Sequence, residues 1–312
     1  MPLLDEEHFV ENDFLKNLKD LGWLVFRQDE NAPEKAYEIV DFDENNNSFY
    51  GGDYSFRETF SDVILEGELR KALKRINPFI TESQIDTVVR RIKVFEGNSL
   101  IEANREVHKL LTENTSVDEN VKTHEKSPTV RYIDFKNIEN NSFVAISQFK
   151  VRIKGTENHI IPDIVLFVNG IPLVVVECKS PAITDPIYEA ITQLMRYSER
   201  RDAKEGNQEL FFYNLFQIAT SRYKSVIGTI TSNYENFVEW KEAFIPGKGG
   251  IEAKYHEAII IGTLTKKNLL DLLHTYTIFR EDNESVLKVV ARYHQFRAVK
   301  KTVEHIRSGN NS

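Results

Sequence analysis

The sequence predicts an α/β fold: a central mixed sheet flanked by helices, with an added helical region ahead of the strands that form most of the sheet. Three observations carry this. Apolar residues recur at helical spacing in the first turns of the chain and again over residues 61–93. Between residues 130 and 179 the period changes, and the apolar residues crowd into short β-branched and aromatic runs separated by Asn and Gly. Helical periodicity then returns from residue 186.

Taken in order, residues 6–21 read as an amphipathic helix, with Val10, Phe14, Leu18 and Leu21 on one face and Gly22 placed to end it. Residues 23–27 (WLVFR) read as a short strand. Residues 28–56, which hold the Asn45-Asn46-Asn47 run and Gly51-Gly52, read as a mostly irregular excursion. A helical stretch follows over 61–93, broken near Asn77-Pro78, and Thr81 with Gln84 has the spacing of a capping box. Residues 117–129 are polar and read as a loop. Four strand candidates come next: VRYIDF (130–135), SFVAISQFKV (142–151), IIPDIVLFV (160–168) and IPLVVVECK (171–179). A helix over 186–201, short strands at 216–220 and 225–231, and a helix near 237–244 complete the middle of the chain. PGKGG at 246–250 is a break, but not a phosphate-binding loop, because no Gly-Lys-Ser/Thr follows at the required spacing. The remainder reads as a strand at 258–261, a helix at 267–276 and a last helix to the C-terminus.

Composition narrows the classes. At 41% apolar and 28% charged, the chain is an ordinary globular protein rather than a disordered or membrane one. No stretch nears the ~18 uninterrupted apolar residues of a membrane helix, and the acidic start, MPLLDEEHFVENDF, lacks a signal-peptide pattern. Cys178 is the single cysteine, so no internal disulfide can form, which suits a reducing, cytoplasmic home. The net charge of −8 does not decide for or against nucleic acid, because fields are screened within about 10 Å at 0.1 M salt and local clusters count for more. Such clusters occur at Arg70, Lys71, Lys74 and Arg75, at Arg90, Arg91 and Lys93, and at Arg196, Arg200, Arg201 and Lys204. Each is equally readable as a solvated helix face.

The chemistry concentrates on one pair of strands. Pro162-Asp163 heads a buried strand, and Glu177-Cys178-Lys179 closes its neighbour. This is the PD-(D/E)xK arrangement. Two hard carboxylate ligands suit Mg²⁺, which takes one or two carboxylates plus water and phosphate oxygens, and a lysine beside them can orient a water or stabilise charge on a phosphate. Glu177 and Lys179 are two residues apart on one strand and share a face, while Cys178 points the other way. Asp163 must reach that same face. A two-residue turn at Asn169-Gly170 would pair 163 with 176 and turn Asp163 away. A three-residue loop, Val168 to Gly170, or a compensating bulge near Pro162, would bring it back. Solvent-facing charges at strand ends would show the same bare pattern, but here each carboxylate borders an apolar run where an unpaired charge is expensive to bury.

Two further elements point to the same place. Gln193 and Tyr197 are i and i+4 on the helix that follows, with Arg196 and Arg200 beside them, a set that could touch a DNA backbone; the alternative is a surface helix with Tyr197 half in the core. Glu11 lies on or beside the apolar face of the first helix, aimed inward, a placement that also serves a plain salt bridge.

Together IIPDIVLFVNGIPLVVVECKSP and EAITQLMRYSE resemble the nuclease domain of the restriction (R) subunit of type I restriction endonucleases. Supporting motifs run along most of the chain: LGW (21–23), EGELRKALKRINP (66–78), DFKNIENNSFVAISQF (134–149), TSNYENFVEW (231–240) and RYHQFRAVKK (292–301). The resemblance implies a type I site-specific deoxyribonuclease subunit in which a nuclease domain (1–258, with a helical insertion at 61–111) precedes a superfamily 2 motor whose RecA-like part begins at 259–312. Asp163, Glu177 and Lys179 match the family's catalytic residues, Glu11 its first-helix acid, and Gln193 with Tyr197 its QxxxY motif. RYHQ resembles an adenine-recognition motif, with Gln295 as the base contact for ATP. No Walker A sequence follows it before Ser312, so the chain is expected not to hydrolyse ATP alone. The implied partners are double-stranded DNA and the methyltransferase and specificity subunits. S-adenosylmethionine would enter only through the methyltransferase.

Overall fold

The structure, a computed structural model, describes residues 3–28, 37–40, 49–51, 57–95, 99–113, 115–117, 126–241, 243–245, 249–251, 256–282 and 285–308. Helix α1 (Leu3–Asp20) buries Val10, Phe14, Leu15 and Leu18, and Gly22, at φ +82°, turns the chain out of it into strand β1 (Leu24–Gln28). The stretch expected to be irregular instead contributes two short strands, β2 (Tyr37–Val40) and β3 (Phe49–Gly51), which extend the sheet beyond β1. Such short strands at the end of a sheet are held by backbone ladders and need no apolar alternation, so pattern reading passes over them. The Asn45–Asn47 run lies outside the described residues.

Helices α2 (Glu66–Ile76), α3 (Glu82–Lys93) and α4 (Leu100–Thr112) form the predicted helical region. Thr81 and Gln84 make the reciprocal capping box at the start of α3. The sheet continues with β4 (Phe143–Ser147), β5 (Ile164–Val168), β6 (Ile171–Cys178), β7 (Phe216–Thr220), β8 (Ser225–Gly228) and β9 (Val238–Glu239). Its nine strands lie in the order β9-β8-β7-β6-β5-β4-β1-β2-β3. Only β1/β4 and β6/β7 are parallel, so the sheet is mixed, as predicted. Helices α5 (Pro186–Tyr197) and α6 (Gln208–Phe212) connect β6 to β7. Strands β5 and β6 are buried along their whole length, as expected of strands covered on both faces.

Several expected elements differ. VRYIDF supplies only the end of a two-residue ribbon, Thr129–Val130 paired with Thr115–Ser116. Beyond it the Asp134 carboxylate accepts from the backbone of Lys136 and Asn137, and that local turn replaces the ladder. The helix expected near 237–244 is absent: Val238–Glu239 is an edge strand and Ala243–Ile245 pairs with Gly249–Ile251. Phe237 packs so closely on Gly228 that a Cβ there would meet its ring at 2.6 Å, which holds the segment along the sheet. PGKGG lies partly outside the described residues. The strand expected at 258–261 is helical, within α7 (Glu257–Leu264). That helix is buried nearly all round, and a fully buried apolar run carries no period to tell helix from strand. Helix α8 (Lys266–His274) follows as predicted, then an unanticipated hairpin, β10 (Thr277–Asp282) and β11 (Ser285–Val290), and helix α9 (Tyr293–Arg307). The expected division at 258 falls inside α7. No helix among the described residues is long and apolar enough to cross a membrane.

The C-terminal elements are hydrogen-bonded to the rest. The Trp23 indole N–H donates to the Leu264 carbonyl at 2.9 Å, and the Thr229 hydroxyl to the Lys288 carbonyl at 2.9 Å. The Lys288 amine, fully buried, donates to Asn104 Oδ1 (2.8 Å) and the Asn214 carbonyl (2.6 Å). Burial brings its pKa down to about 7.

The β5–β6 turn has two residues rather than three. Asn169 (φ +52°) and Gly170 (φ +78°) are both left-handed, and Val168 pairs with Ile171. The register then shifts between Pro172 and Val174, so that Val165 faces Val175 and Ile164 faces Val176. The compensating bulge therefore lies in β6 at Leu173, not near Pro162. Surrounding contacts fix the short turn. Asn169 Oδ1 accepts from the Ser142 N–H, and Nδ2 donates to the Tyr132 carbonyl and Asn141 Oδ1. The Gly170 carbonyl accepts from the Leu65 N–H at 2.9 Å, and a Cβ on Gly170 would stand 2.4 Å from the Leu65 carbonyl oxygen. Gly170→Ala is expected to destabilise the fold by about 2–4 kcal/mol in urea denaturation, combining the left-handed penalty with overpacking. Gly155→Ala, at φ +75° but with nothing within 4 Å, should cost only about 1–2 kcal/mol. Equal losses would show that the helix-to-turn contact is not tight.

Candidate active site at the strand ends

With one residue added at Leu173, the β5–β6 register carried one step further sets Asp163 opposite Glu177. Cross-strand partners share a face, so the expectation that these two carboxylates converge holds, by a different route. The Cys178 N–H donates to Asp163 Oδ2 at 2.7 Å and ties that carboxylate to the end of β6. The Lys179 amine donates to Glu177 Oε1 at 2.8 Å, with Lys179 14% and Glu177 0% exposed. The Lys179 N–H also donates to the Thr220 carbonyl at 2.9 Å, which holds the lysine against β7. Cys178 points to the other face, fully buried, and burial pushes its thiol pKa well up.

Glu11 arrives from α1. Its Oε1 accepts from the Ser147 hydroxyl and, at 3.5 Å, from Arg27, while Oε2 accepts from Gln148 Nε2 at 2.9 Å. The same Gln148 amide lies 3.5 Å from Asp163 Oδ1, and the Gln148 N–H donates to the Asp163 carbonyl at 2.8 Å. By register Ser147 shares a face with Ile164 and Val176, opposite to that of Glu177. Glu11 thus reaches Asp163 around the strand ends, and Gln148 spans the gap. Gln148 does so from a left-handed backbone (φ +57°), a conformation that costs a non-glycine residue about 1–3 kcal/mol and concentrates at functional sites. Sequence reasoning missed Arg27, Ser147 and Gln148. The available signal is the polar Ser147-Gln148 pair inside a stretch whose pattern predicts uninterrupted strand to residue 151.

Burial pushes the Asp163 pKa well above the ordinary 3.8, and the charges of Glu177 and Glu11 push it further; Lys179 and the Cys178 N–H oppose them. Glu11, Glu177 and Lys179 are therefore each within electrostatic reach of Asp163.

The helix residues are placed differently. Gln193 Nε2 donates to the Tyr197 hydroxyl, which in turn donates to the Ile161 carbonyl at 3.1 Å. The pair braces α5 against the segment leading to Asp163. Tyr197 is buried, and that burial, with the Glu177 charge, raises its phenol pKa. Arg200 is half-buried and donates to the Ser232 carbonyl at 2.8 Å. Arg196 remains exposed, over the Tyr197 ring at 5.4 Å. Gln295 is exposed at the start of α9, where its Oε1 accepts from the Arg292 N–H at 2.9 Å and caps the helix. In the two basic clusters of the helical region, Arg70, Lys71, Lys74 and Lys93 pair with Glu66, Glu68, Asp86 and Glu82, and Arg75 and Arg91 bond carbonyls. They are solvated faces.

Among the described residues no group of three or more His, Cys, Asp or Glu side chains is poised around a metal position. Mg²⁺ requires less, because water and phosphate oxygens complete its shell. Asp163 and Glu177 offer hard oxygen donors, and burial, with the charges of Glu177 and Glu11, raises the Asp163 pKa. The residues present fit that ion.

The family described as Type I restriction enzyme R protein N terminus matches residues 4–236. The chain is 29% identical over 304 residues to the type I restriction enzyme HindI endonuclease subunit of Haemophilus influenzae, covering 96% of this chain and 26% of that protein. It is 31% identical over 305 residues to a provisionally assigned type I restriction enzyme MjaVIIIP endonuclease subunit of Methanocaldococcus jannaschii, covering 96% of this chain and 25% of that protein. The chain thus spans about a quarter of the length of these relatives.

A raised folded-state pKa at Asp163 means that the fold favours the protonated carboxyl. The corresponding stability is fully present below the ordinary 3.8 and is lost as pH rises through the raised value. Asp163→Asn, which cannot ionise, is therefore expected to be more stable than wild type at pH 8 in EDTA, by on the order of 1–3 kcal/mol. The difference should shrink towards pH 4. Parallel stability–pH curves for the two proteins would show that Asp163 is not desolvated.

Proposed function

We propose a function from one premise: this chain belongs to the family of type I restriction enzyme R protein N-terminal regions, so it is part of a restriction endonuclease. On our reading, the strand ends form the active site of a Mg²⁺-dependent endonuclease of the PD-(D/E)xK type that hydrolyses DNA phosphodiester bonds. The observation that carries this is the meeting of Glu11, Asp163, Glu177 and Lys179 across the ends of β5 and β6.

Asp163 and Glu177 would hold Mg²⁺, whose contribution is to offset charge on the phosphate and lower the pKa of a water. Lys179, kept beside Glu177 at 2.8 Å, directs a positive charge and N–H donors to the phosphate oxygens. Glu11, held by Ser147 and Gln148, adds a carboxylate able to orient a water or accept its proton. Gln193 and Tyr197 act by bracing the Asp163 segment, which leaves Arg196 as the helix residue open to DNA.

We further read residues 1–258 as the nuclease and 259–312 as the start of an ATP-driven superfamily 2 motor, with Gln295 placed for adenine in the longer protein. The nuclease would cut without sequence choice of its own, recognition belonging to a specificity subunit and S-adenosylmethionine to a methyltransferase subunit. The rival reading of this domain as mainly a docking module for partner subunits or DNA, motivated by the helical region 61–111, is less favoured. Helices α2, α3 and α4 each bury four or more residues, and α2 is pinned to the active-site hairpin at Gly170.

Lys179→Ala and Glu177→Gln, in the full-length protein assembled with its partner subunits, should each lower DNA cleavage by about 100- to 1000-fold or more. DNA binding and ATP hydrolysis should persist. Undiminished cleavage with Lys179→Ala would sink the assignment. Gln148→Ala should lower cleavage by about ten-fold or more, with Gln148→Asn no substitute because its shorter side chain cannot span Glu11 and Asp163.

A further inference from the structure

Strands β6 and β7 are parallel neighbours, so the turn after β7 stands beside the lysine that follows β6. The Lys179 N–H donates to the carbonyl of Thr220, the last residue of β7, and neighbouring strands lie only about 4.8 Å apart. Four residues then turn the chain into β8: Ser221, Arg222, Tyr223 and Lys224. The turn is well fixed. The Ser221 N–H donates to the Lys224 carbonyl at 2.8 Å, and the Thr220 and Ser225 hydroxyls share a hydrogen bond of 2.6 Å at its base.

At the tip, Tyr223 is 63% exposed and Lys224 is exposed. The Arg222 guanidinium lies 4.7 Å from the centre of the Phe9 ring, which is itself 52% exposed. Phe9 is two residues before Glu11 on α1, so the helix that delivers a carboxylate to the site also backs this arginine. A guanidinium stacked on an aromatic face keeps its N–H edges available. The two basic clusters of the helical region spend their charges on neighbouring acids or carbonyls. Among the described residues neither Arg222 nor Lys224 enters an ion pair with an acid. In a chain of net charge −8, two uncommitted cations and an exposed phenol at the mouth of a phosphodiester site stand out.

We propose that the Ser221–Lys224 turn, backed by Phe9, is a contact site for the phosphate backbone of double-stranded DNA. It rests on the endonuclease reading of the neighbouring carboxylates. Arg222 and Lys224 neutralise phosphates, and the Tyr223 hydroxyl donates to a phosphate oxygen or the adjoining sugar. Contacts of this kind position a duplex without reading its bases, which suits a site that cuts irrespective of local sequence.

The test is duplex binding by this chain, measured by fluorescence anisotropy in Ca²⁺ at several salt concentrations. Arg222→Ala with Lys224→Ala should weaken binding about 10- to 100-fold, equally on duplexes of unrelated sequence, and should reduce the slope of log affinity against log salt by about two. Arg222→Lys with Lys224→Arg should restore the slope, and thermal unfolding should be unchanged in both. Equal binding by the alanine variant, or no duplex binding by the wild-type chain, would overturn the proposal. So would a loss of partner-subunit assembly without a loss of DNA affinity, which would make the turn a protein contact. Cleavage separates the two readings: cleavage surviving Lys179→Ala in the full-length assembled protein would remove the nuclease reading, while the anisotropy result with Arg222→Ala and Lys224→Ala, which leave every proposed catalytic residue in place, would stand alone.

Discussion

The structure depends on a count of residues in one hairpin. Side chains alternate along a strand, so the number of residues between Asp163 and Glu177 decides whether the two carboxylates share a face. A two-residue Asn169-Gly170 turn on a regular ladder would separate them. The bulge at Leu173 adds the residue that brings them together. Without the bulge the same turn would set Asp163 opposite Val176 and turn it away from Glu177.

Much of the surrounding chain supports that count. The Leu173 carbonyl, displaced from the hairpin ladder, accepts from the Leu215 N–H at 2.6 Å and from Asn214 Nδ2 at 3.4 Å. The Asn214 carbonyl in turn accepts from Asn104 Nδ2 in α4 and from the Lys288 amine in β11. At the other end of the hairpin, α2 begins on the Gly170 carbonyl. The helical region therefore grips the hairpin at its turn and, through Asn214, at its bulge. Lys288 suits this buried position because both of its partners are acceptors. An amine with its pKa near 7 has the two N–H donors they need whether charged or neutral.

What could be read from the sequence follows from the range of the interactions involved. The two apolar strands and the Asp163, Glu177 and Lys179 set were legible, because strand periodicity and the i, i+2 spacing are local. The capping box at Thr81 was legible for the same reason. The position of the bulge was not, since it depends on Asn214, some forty residues further along. Gln148 was missed because its role requires a left-handed backbone within a run that reads as strand, and only the neighbouring carboxylates explain why it is there. The segment at 258–261 failed for a different reason: burial on every side erased the period that separates helix from strand. Tyr197 was placed correctly on its helix, but its bond to the Ile161 carbonyl joins elements that sequence spacing cannot relate.

The charge arrangement sets the final constraint. Three carboxylates lie at or beneath the surface of the sheet end, and Lys179 and the partly exposed Arg27 are the cations seen to pair with them. Dipolar groups do the rest: the Cys178 N–H on Asp163, the Ser147 hydroxyl on Glu11, and the Gln148 amide between Glu11 and Asp163. These donors hold the carboxylates in place without cancelling their charge, which is why burial and mutual repulsion still raise the Asp163 pKa. A fold that only needed stability would replace such a cluster with apolar side chains at little cost. Here the strained Gln148, the bulge at Leu173 and the contacts behind it all act to keep the acids together. An arrangement that gathers acids at this expense is what the proposed cation-assisted hydrolysis of a phosphodiester would draw on.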